Sequence, residues 1–151
     1  MSRPKKERVV YQPPLYADFK PQGIPRRDLK PLCLGLDEFE AIRLADYQGM
    51  EHTEAAIEME ISRSTFTRLV ISARKKMAQF LVEGKHLHIE GGNIHFYGNV
   101  IRCQYCGHMF NTGFDTDINT CPSCGSSDLI DLAGGFGHGK CCHEHTHLNR
   151  R

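Results

Sequence analysis

The chain has no tryptophan among its 151 residues, so its core has to rest on Leu, Ile, Val, Met and eight Phe. Long apolar runs are missing as well. None approaches the roughly 20 residues that cross a bilayer, and no membrane span is expected. The opening, Met1 to Val10, is basic but no apolar stretch follows it, so no secretory signal is read and a cytoplasmic location is the expectation. Enzyme signatures are lacking too: there is no phosphate loop, no nucleophile elbow and no metal motif with an obvious vacancy, so no catalytic activity is expected. Proline is scarce beyond residue 31. Six of the seven prolines fall between Pro4 and Pro31, where a long helix cannot form.

Net charge is nearly absent at +1, but its distribution is not even. Residues 1–30 carry +5, 31–60 carry −7, 61–90 carry +4 and 91–151 carry −1. Two basic blocks around an acidic one either face a polyanion or simply keep the surface solvated. The first block reads as an extended arm over residues 1–31, with Tyr16 and Phe19 packing on the core.

Helical periodicity begins at Asp37. Asp37 and Glu40 have the spacing of a capping pair, Phe39, Ile42 and Ala45 recur on one side, and Gly49 supplies a left-handed stop. A short second helix starts near Thr53 and carries Ala55, Ala56, Ile57 and Met59. A third follows Ser62, a good N-cap, with Phe66, Leu69, Val70, Ala73, Met77 and Phe80 or Leu81 as its apolar stripe. The alternating runs on either side of Gly91-Gly92 predict a hairpin that pairs Ile89 with Ile94 and Leu87 with Phe96. On its other face His88 and His95 form a solvated or hydrogen-bonded pair, with a metal shared across the hairpin as the alternative. Cys33, between two leucines, reads as a small buried hydrophobe.

A short helix, a tight turn and a basic helix fit a DNA-binding helix-turn-helix. The small residue needed where the helices cross is Ala56. The turn wants a left-handed residue, and Glu60 stands there, at a cost of about 1 kcal/mol relative to glycine. Arg63, Ser64, Thr67 and Arg68 are residue types that read base edges from a helix N-terminus, while Arg74, Lys75 and Lys76 suit phosphates. A plain three-helix bundle with a solvated basic face is the alternative.

Several blocks in fixed order carry a family resemblance: Phe19-Lys-Pro-Gln-Gly-Ile-Pro25, Leu36-Asp-Glu-Phe-Glu-Ala-Ile-Arg-Leu-Ala-Asp46, Ser62-Arg-Ser-Thr-Phe-Thr-Arg68, Ala73-Arg-Lys-Lys76 and Glu83-Gly-Lys85. The stretch from Arg3 to Gly92 resembles an uncharacterised prokaryotic family described as predicted DNA-binding proteins, with a helix-turn-helix like region four of sigma factors. The resemblance implies that Thr53 to Leu81 holds the motif, with Arg63 to Arg68 on the recognition helix.

Seven cysteines in a cytoplasmic chain point to metal before disulfides. Cys103-x-x-Cys106-Gly and Cys121-x-x-Cys124-Gly stand 14 residues apart, close to the spacing of a four-thiolate zinc site. A rubredoxin-like iron site uses the same donors and stays open as an alternative. Val100-Ile101-Arg102 and Leu129-Ile130-Asp131 read as its strands. The end of the chain offers a second metal tract, Cys141, Cys142, His143, His145 and His147, which either binds metal specifically or does so only adventitiously.

The expected architecture is a mainly α helix-turn-helix domain with a small hairpin (residues 32–98), a small β zinc ribbon (99–132) and a Gly/His/Cys-rich tail (133–151). The function expected is sequence-specific binding of double-stranded DNA in transcriptional regulation, with a homodimer compatible with the motif. The alternatives are a zinc adaptor for RNA polymerase or RNA, and a metal-sensing or metal-handling protein that uses the tail.

Overall fold

A computed structural model describes residues 8–92, 94–96, 98–113 and 118–132. They fall into two compact units, residues 8–10 with 14–92 and Ile94, and residues 11–13 with those from His95 onward.

In the first unit, the proline-rich arm yields only short elements: β1 (Arg8–Val9), β2 (Asp18–Phe19) and a 3-10 turn at Arg26–Asp28. Val9 and Val10 are buried, whereas Tyr16 and Phe19 are exposed, against expectation. The arm anchors itself through its valines; Phe19 lies on the same face as buried Leu87 by register, but at the end of a two-residue edge strand it stays 41% exposed. β3 (Pro31–Leu34) then leads into α1 (Leu36–Ile42), which widens into a π-helical stretch at Arg43–Tyr47. Gly49, at φ 72°, ends it as expected.

The start of α1 differs from the sequence reading. Gly35 occupies the N-cap, and its N–H donates to the Glu38 carboxylate at 3.0 Å, so the capping acid is Glu38 and not Glu40. Glu40 is fully buried and forms an ion pair with Arg43. The inner face of α1 is therefore Leu36, Glu40, Ala41 and Leu44, with Phe39, Ile42 and Ala45 at its flanks. Amphipathic reading assigns charges to the surface; here a buried charge finds its partner one turn on and stays inside.

Glu38 also ties α1 to the third helix. Its carboxylate accepts from Lys76 Nζ at 2.7 Å and from Ser72 Oγ at 2.6 Å. Burial works to raise its pKa, but the bonds from Lys76, Ser72 and Gly35 outweigh it and hold the carboxyl below 4.5. A lowered folded-state pKa gives stabilisation that is complete above the ordinary carboxylate value and lost as pH falls through the depressed one. Glu38→Gln should cost about 1–3 kcal/mol at neutral pH by urea denaturation. The gap between variant and wild type should close as the medium is acidified below 4.5.

α2 (His52–Met59) has Glu51 as its N-cap, two residues before Thr53, and no side-chain cap. Its end is a complete Schellman turn. Glu60 adopts φ 56°, ψ 43°, its N–H donates to Ile57 O, and the Ile61 N–H donates back to Ala56 O. Among the described residues Glu60 alone has a positive φ without being glycine. α3 (Arg63–Glu83) follows at once, with Ser62 Oγ accepting from the Thr65 N–H, as the N-cap reading expects. Ala41, Leu44, Ala55, Ala56, Met59, Phe66 and Val70 form the core between the three helices. Phe80 completes the stripe at the far end of α3, while Leu81 is exposed.

α3 stops at Gly84, φ 64°, and the chain enters β4 (His86–Ile89). β4 does not fold back on β5 (Ile94–His95) as a hairpin. It is the central strand of a three-stranded sheet, antiparallel to β2 and parallel to β3, while β5 pairs with β1. Alternation gave the strand and its faces correctly, but period-two patterning does not name a partner. Leu34, Leu87 and Ile89 are buried, and His86, His88, Asp18 and Cys33 share the other side of the sheet by register. Cys33 is accordingly exposed, a correction to its expected burial.

The second unit contains β6 (Asn99–Cys103), paired antiparallel with both β7 (Met109–Thr112) and β8 (Leu129–Asp131). β6 and β8 fall where the sequence put strands; β7 was not foreseen. Phe96, Val100 and Leu132 are buried, together with Cys103 and Cys121.

Candidate metal centre

The two Cys-x-x-Cys-Gly segments fold as matching loops. In the first, Cys103 N–H donates to His108 O at 2.9 Å and the Gly107 N–H returns to Cys103 O at 2.9 Å. In the second, Cys121 N–H donates to Ser126 O and the Gly125 N–H to Cys121 O, both at 2.8 Å. Gly107 and Gly125, at φ 79° and 78°, supply the left-handed residue each loop needs to bring its thiols together. β6 carries Cys103 into the first loop, and the second loop leads to β8, the neighbour of β6.

All four sulfurs lie within 4.8 Å of one another. Cys103 and Cys124 Sγ are 3.6 Å apart, and Cys106 and Cys121 Sγ 3.7 Å. A disulfide needs about 2.05 Å. Four thiolates at about 2.3 Å from a tetrahedral ion stand about 3.8 Å from each other, so the donor set fits such an ion. Backbone N–H groups already face the sulfurs: Cys106 N–H toward Cys103, His108 N–H toward Cys106 and Ser123 N–H toward Cys121. The Cys106 N–H brings the Cys103 thiol down to about 7. At Cys124 the Ser126 N–H pulls the other way, but burial and three neighbouring sulfurs push the thiol up to about 12. Cys103, Cys106, Cys121 and Cys124 thus form a group of the kind that holds a metal ion. The tail residues Cys141, Cys142, His143, His145 and His147 lie outside the described residues.

The residues singled out on α3 divide by partner. Arg63, Ser64 and Arg68 are exposed near its N-terminus. Thr67 is half-buried, and its hydroxyl bonds His52 Nδ1 of α2 at 2.9 Å. The His52 ring in turn packs edge-on against Phe66, centroids 5.3 Å apart. Arg74 grips Asp46 with two bonds, 3.0 and 2.6 Å, which lowers the Asp46 pKa and raises that of Arg74. Lys76 is held by Glu38, and Lys75 is exposed.

One cluster escaped the sequence reading. Asp18 Oδ1 lies 2.8 Å from His86 Nε2 and 2.7 Å from His88 Nδ1, and His88 Nε2 lies 3.0 Å from Glu90 Oε2. The hydrogen bond to His88 holds the Asp18 carboxyl down, and the same bond raises His88. His88 therefore pairs across to the arm, not to His95, because β2 and not β5 is the neighbour of β4. The His-x-His spacing on one strand face was the available signal; Asp18, 68 residues away from His86, had none.

The profile of the family described as "Protein of unknown function DUF134" matches residues 1–97. The chain belongs to the DUF134 family. Among its relatives is a "UPF0251 protein" of Chloroherpeton thalassium, 45% identical over 143 residues, covering 93% of this chain and 95% of the relative. A "UPF0251 protein" of Pelotomaculum thermopropionicum is 44% identical over 128 residues, covering 85% and 96%. One of Moorella thermoacetica is 41% identical over 145 residues, covering 96% and 95%. These DUF134 matches reach past residue 97, so the likeness extends beyond the helical part. No solved structure matches the chain. Among the described residues, no helix is long and apolar enough to cross a membrane.

Proposed function

We propose that this DUF134 protein binds double-stranded DNA sequence-specifically as a transcriptional regulator, with zinc held structurally by the four cysteines. One observation carries the reading: α2, a left-handed turn and α3 follow one another directly, and Arg63, Ser64 and Arg68 are exposed at the capped start of α3. In a helix-turn-helix the N-terminal residues of the second helix contact base edges in the major groove. Arginine suits the paired acceptors of guanine, and serine serves either donor or acceptor. The bond from Thr67 to His52 fixes α3 against α2, which keeps that presentation rigid.

Phosphate contacts fall to Lys75, because the guanidinium of Arg74 and the ammonium of Lys76 are taken by Asp46 and Glu38. The outer side of α2 carries exposed Glu51, Glu54 and Glu58, which oppose non-specific attraction to a polyanion. Base contacts have to supply the difference, so specificity should be high relative to affinity. Four thiolates leave zinc no open position, and the metal's part in this reading is structural.

Binding to pooled duplex DNA, followed by anisotropy at several salt concentrations, tests the proposal. With Lys75 as the phosphate contact on α3, log affinity should fall with log salt at a shallow slope of about −1 per protomer. Absence of selection from the pool, or preference for single-stranded RNA over the duplex, would overturn it and favour the adaptor reading.

A further inference from the structure

We propose that Asp18, His86 and His88 form a second metal site, for a divalent first-row transition ion such as zinc, separate from the four cysteines. The three side chains come from β2 and β4 and share one sheet face. His86 and His88 are two apart on β4, and Asp18 stands opposite His88 in the antiparallel register. Their ligand atoms all lie within 4.8 Å of one another.

His88 sits between two carboxylates, Asp18 on one side and Glu90 on the other, and its ring has one nitrogen turned to each. Its Nε2 lies 3.0 Å from Glu90 Oε2, a carboxylate that can only accept, so that nitrogen carries the ring's proton. In a neutral ring the other nitrogen, Nδ1, is then a bare lone pair, and it faces Asp18 Oδ1 at 2.7 Å. A second proton on the ring satisfies both carboxylates without a metal, and a metal ion at Nδ1 would take that proton's place. His86 Nε2 aims at the same oxygen from 2.8 Å, so one ion can satisfy both rings at once. Around a tetrahedral zinc with bonds of about 2.0–2.1 Å, donors stand about 3.3 Å apart. The two contacts to Asp18 would open by about half an ångström to reach that spacing, and the two ring nitrogens lie within 4.8 Å of each other.

The surroundings fit. Metal-bound imidazoles donate their other N–H to a carboxylate, the role Glu90 fills for His88. His86 is buried, which fixes its ring, while the Asp18 side chain is 48% exposed and leaves an entry path. Cys33 stands in register with His88 on β3, but its Sγ faces Glu90 O at 3.7 Å and it is not one of the three clustered donors. A site of this kind exchanges its ion readily, unlike the closed set of four thiolates. Filled, it would staple the arm at β2 to the strand that leaves α3.

Full-length protein titrated with zinc provides the test, read by metal content after dialysis and by long-range nitrogen–proton spectra of the histidine rings. Wild type should bind one zinc more than His88→Gln, since the four cysteines and the tail are common to both. Zinc should move the ring nitrogen signals of His86 and His88 together. Asp18→Asn should weaken this uptake at least tenfold, and Glu90→Gln about tenfold through the orientation of His88. Glu90 is exposed, so the last variant stays informative if His88→Gln misfolds. Ring signals of His86 and His88 that stay put at saturating zinc, with equal zinc content in all variants, would show that protons alone hold the cluster and would overturn the site.

Discussion

Chelation is expected to strip the ion from the four cysteines and to erase amide protection across β6, β7 and β8, while α3 keeps its own. The reason lies in the balance of the second unit. Among the described residues its buried apolar side chains are Pro13, Phe96, Val100 and Leu132 besides Cys103 and Cys121, and a sheet of three short strands has little else to offset chain entropy. Structural zinc in small modules contributes about 10–16 kcal/mol of apparent binding energy, more than such a module's whole stability. Cys121→Ser should act like chelation, because this sulfur is buried and its loss leaves three donors. Hydrogen exchange resolved by segment, with elemental analysis of the same sample, makes the measurement. Helical circular dichroism should fall little, since α1, α2 and α3 belong to the other unit. Intact protection of Asn99–Cys103 after the metal has gone would remove the metal from the folding of this sheet. The same elemental analysis decides between zinc and iron.

Replacing Arg63 or Arg68 by alanine should flatten sequence preference at one base-pair position each, by about 1–3 kcal/mol, without abolishing binding to the duplex. Lys75→Ala should behave differently, weakening all sequences alike and reducing the salt slope by about 1. The distinction follows from position. Arg63 and Arg68 are exposed near the capped end of α3, whereas Lys75 lies two turns further along. Arg74→Ala serves as an internal control. Its two bonds to Asp46 mean that its removal frees a carboxylate, so any loss of affinity reports repulsion as well as a missing contact. Competition between duplexes that differ at a single position measures all four variants. Equal losses for Arg63→Ala and Lys75→Ala on every sequence would leave α3 as a generic basic face.

What the sequence disclosed tracks the range over which each signal acts. Ser62 as a cap, Gly49 as a stop and the left-handed demand on Glu60 are local, and each stands as read. The four cysteines were legible because their chemistry is strong enough to impose a geometry from spacing alone. Pairing was not legible. The Gly91-Gly92 turn looked like a hairpin because both flanks alternate, yet β4 spends both its edges on β2 and β3. Buried charge was not legible either. Glu40, Arg43 and Glu38 sit on faces that an amphipathic reading gives to solvent, and only their partners explain them. The Asp18 cluster joins both difficulties, since it needs the strand order and the burial of His86 to be known first.

The parallel seam between β3 and β4 has a consequence in time. Pro31 faces His86 across it, so it closes a ring of roughly 55 residues with all three helices inside. Bringing such distant ends together loses chain freedom before any ladder bond is gained, whereas the helices meet neighbours close in sequence. Assembly should therefore run from the inside outward, helices first and seam last. By the same logic the seam is where the ring loosens first under stress, opening the sheet while the helical centre still holds.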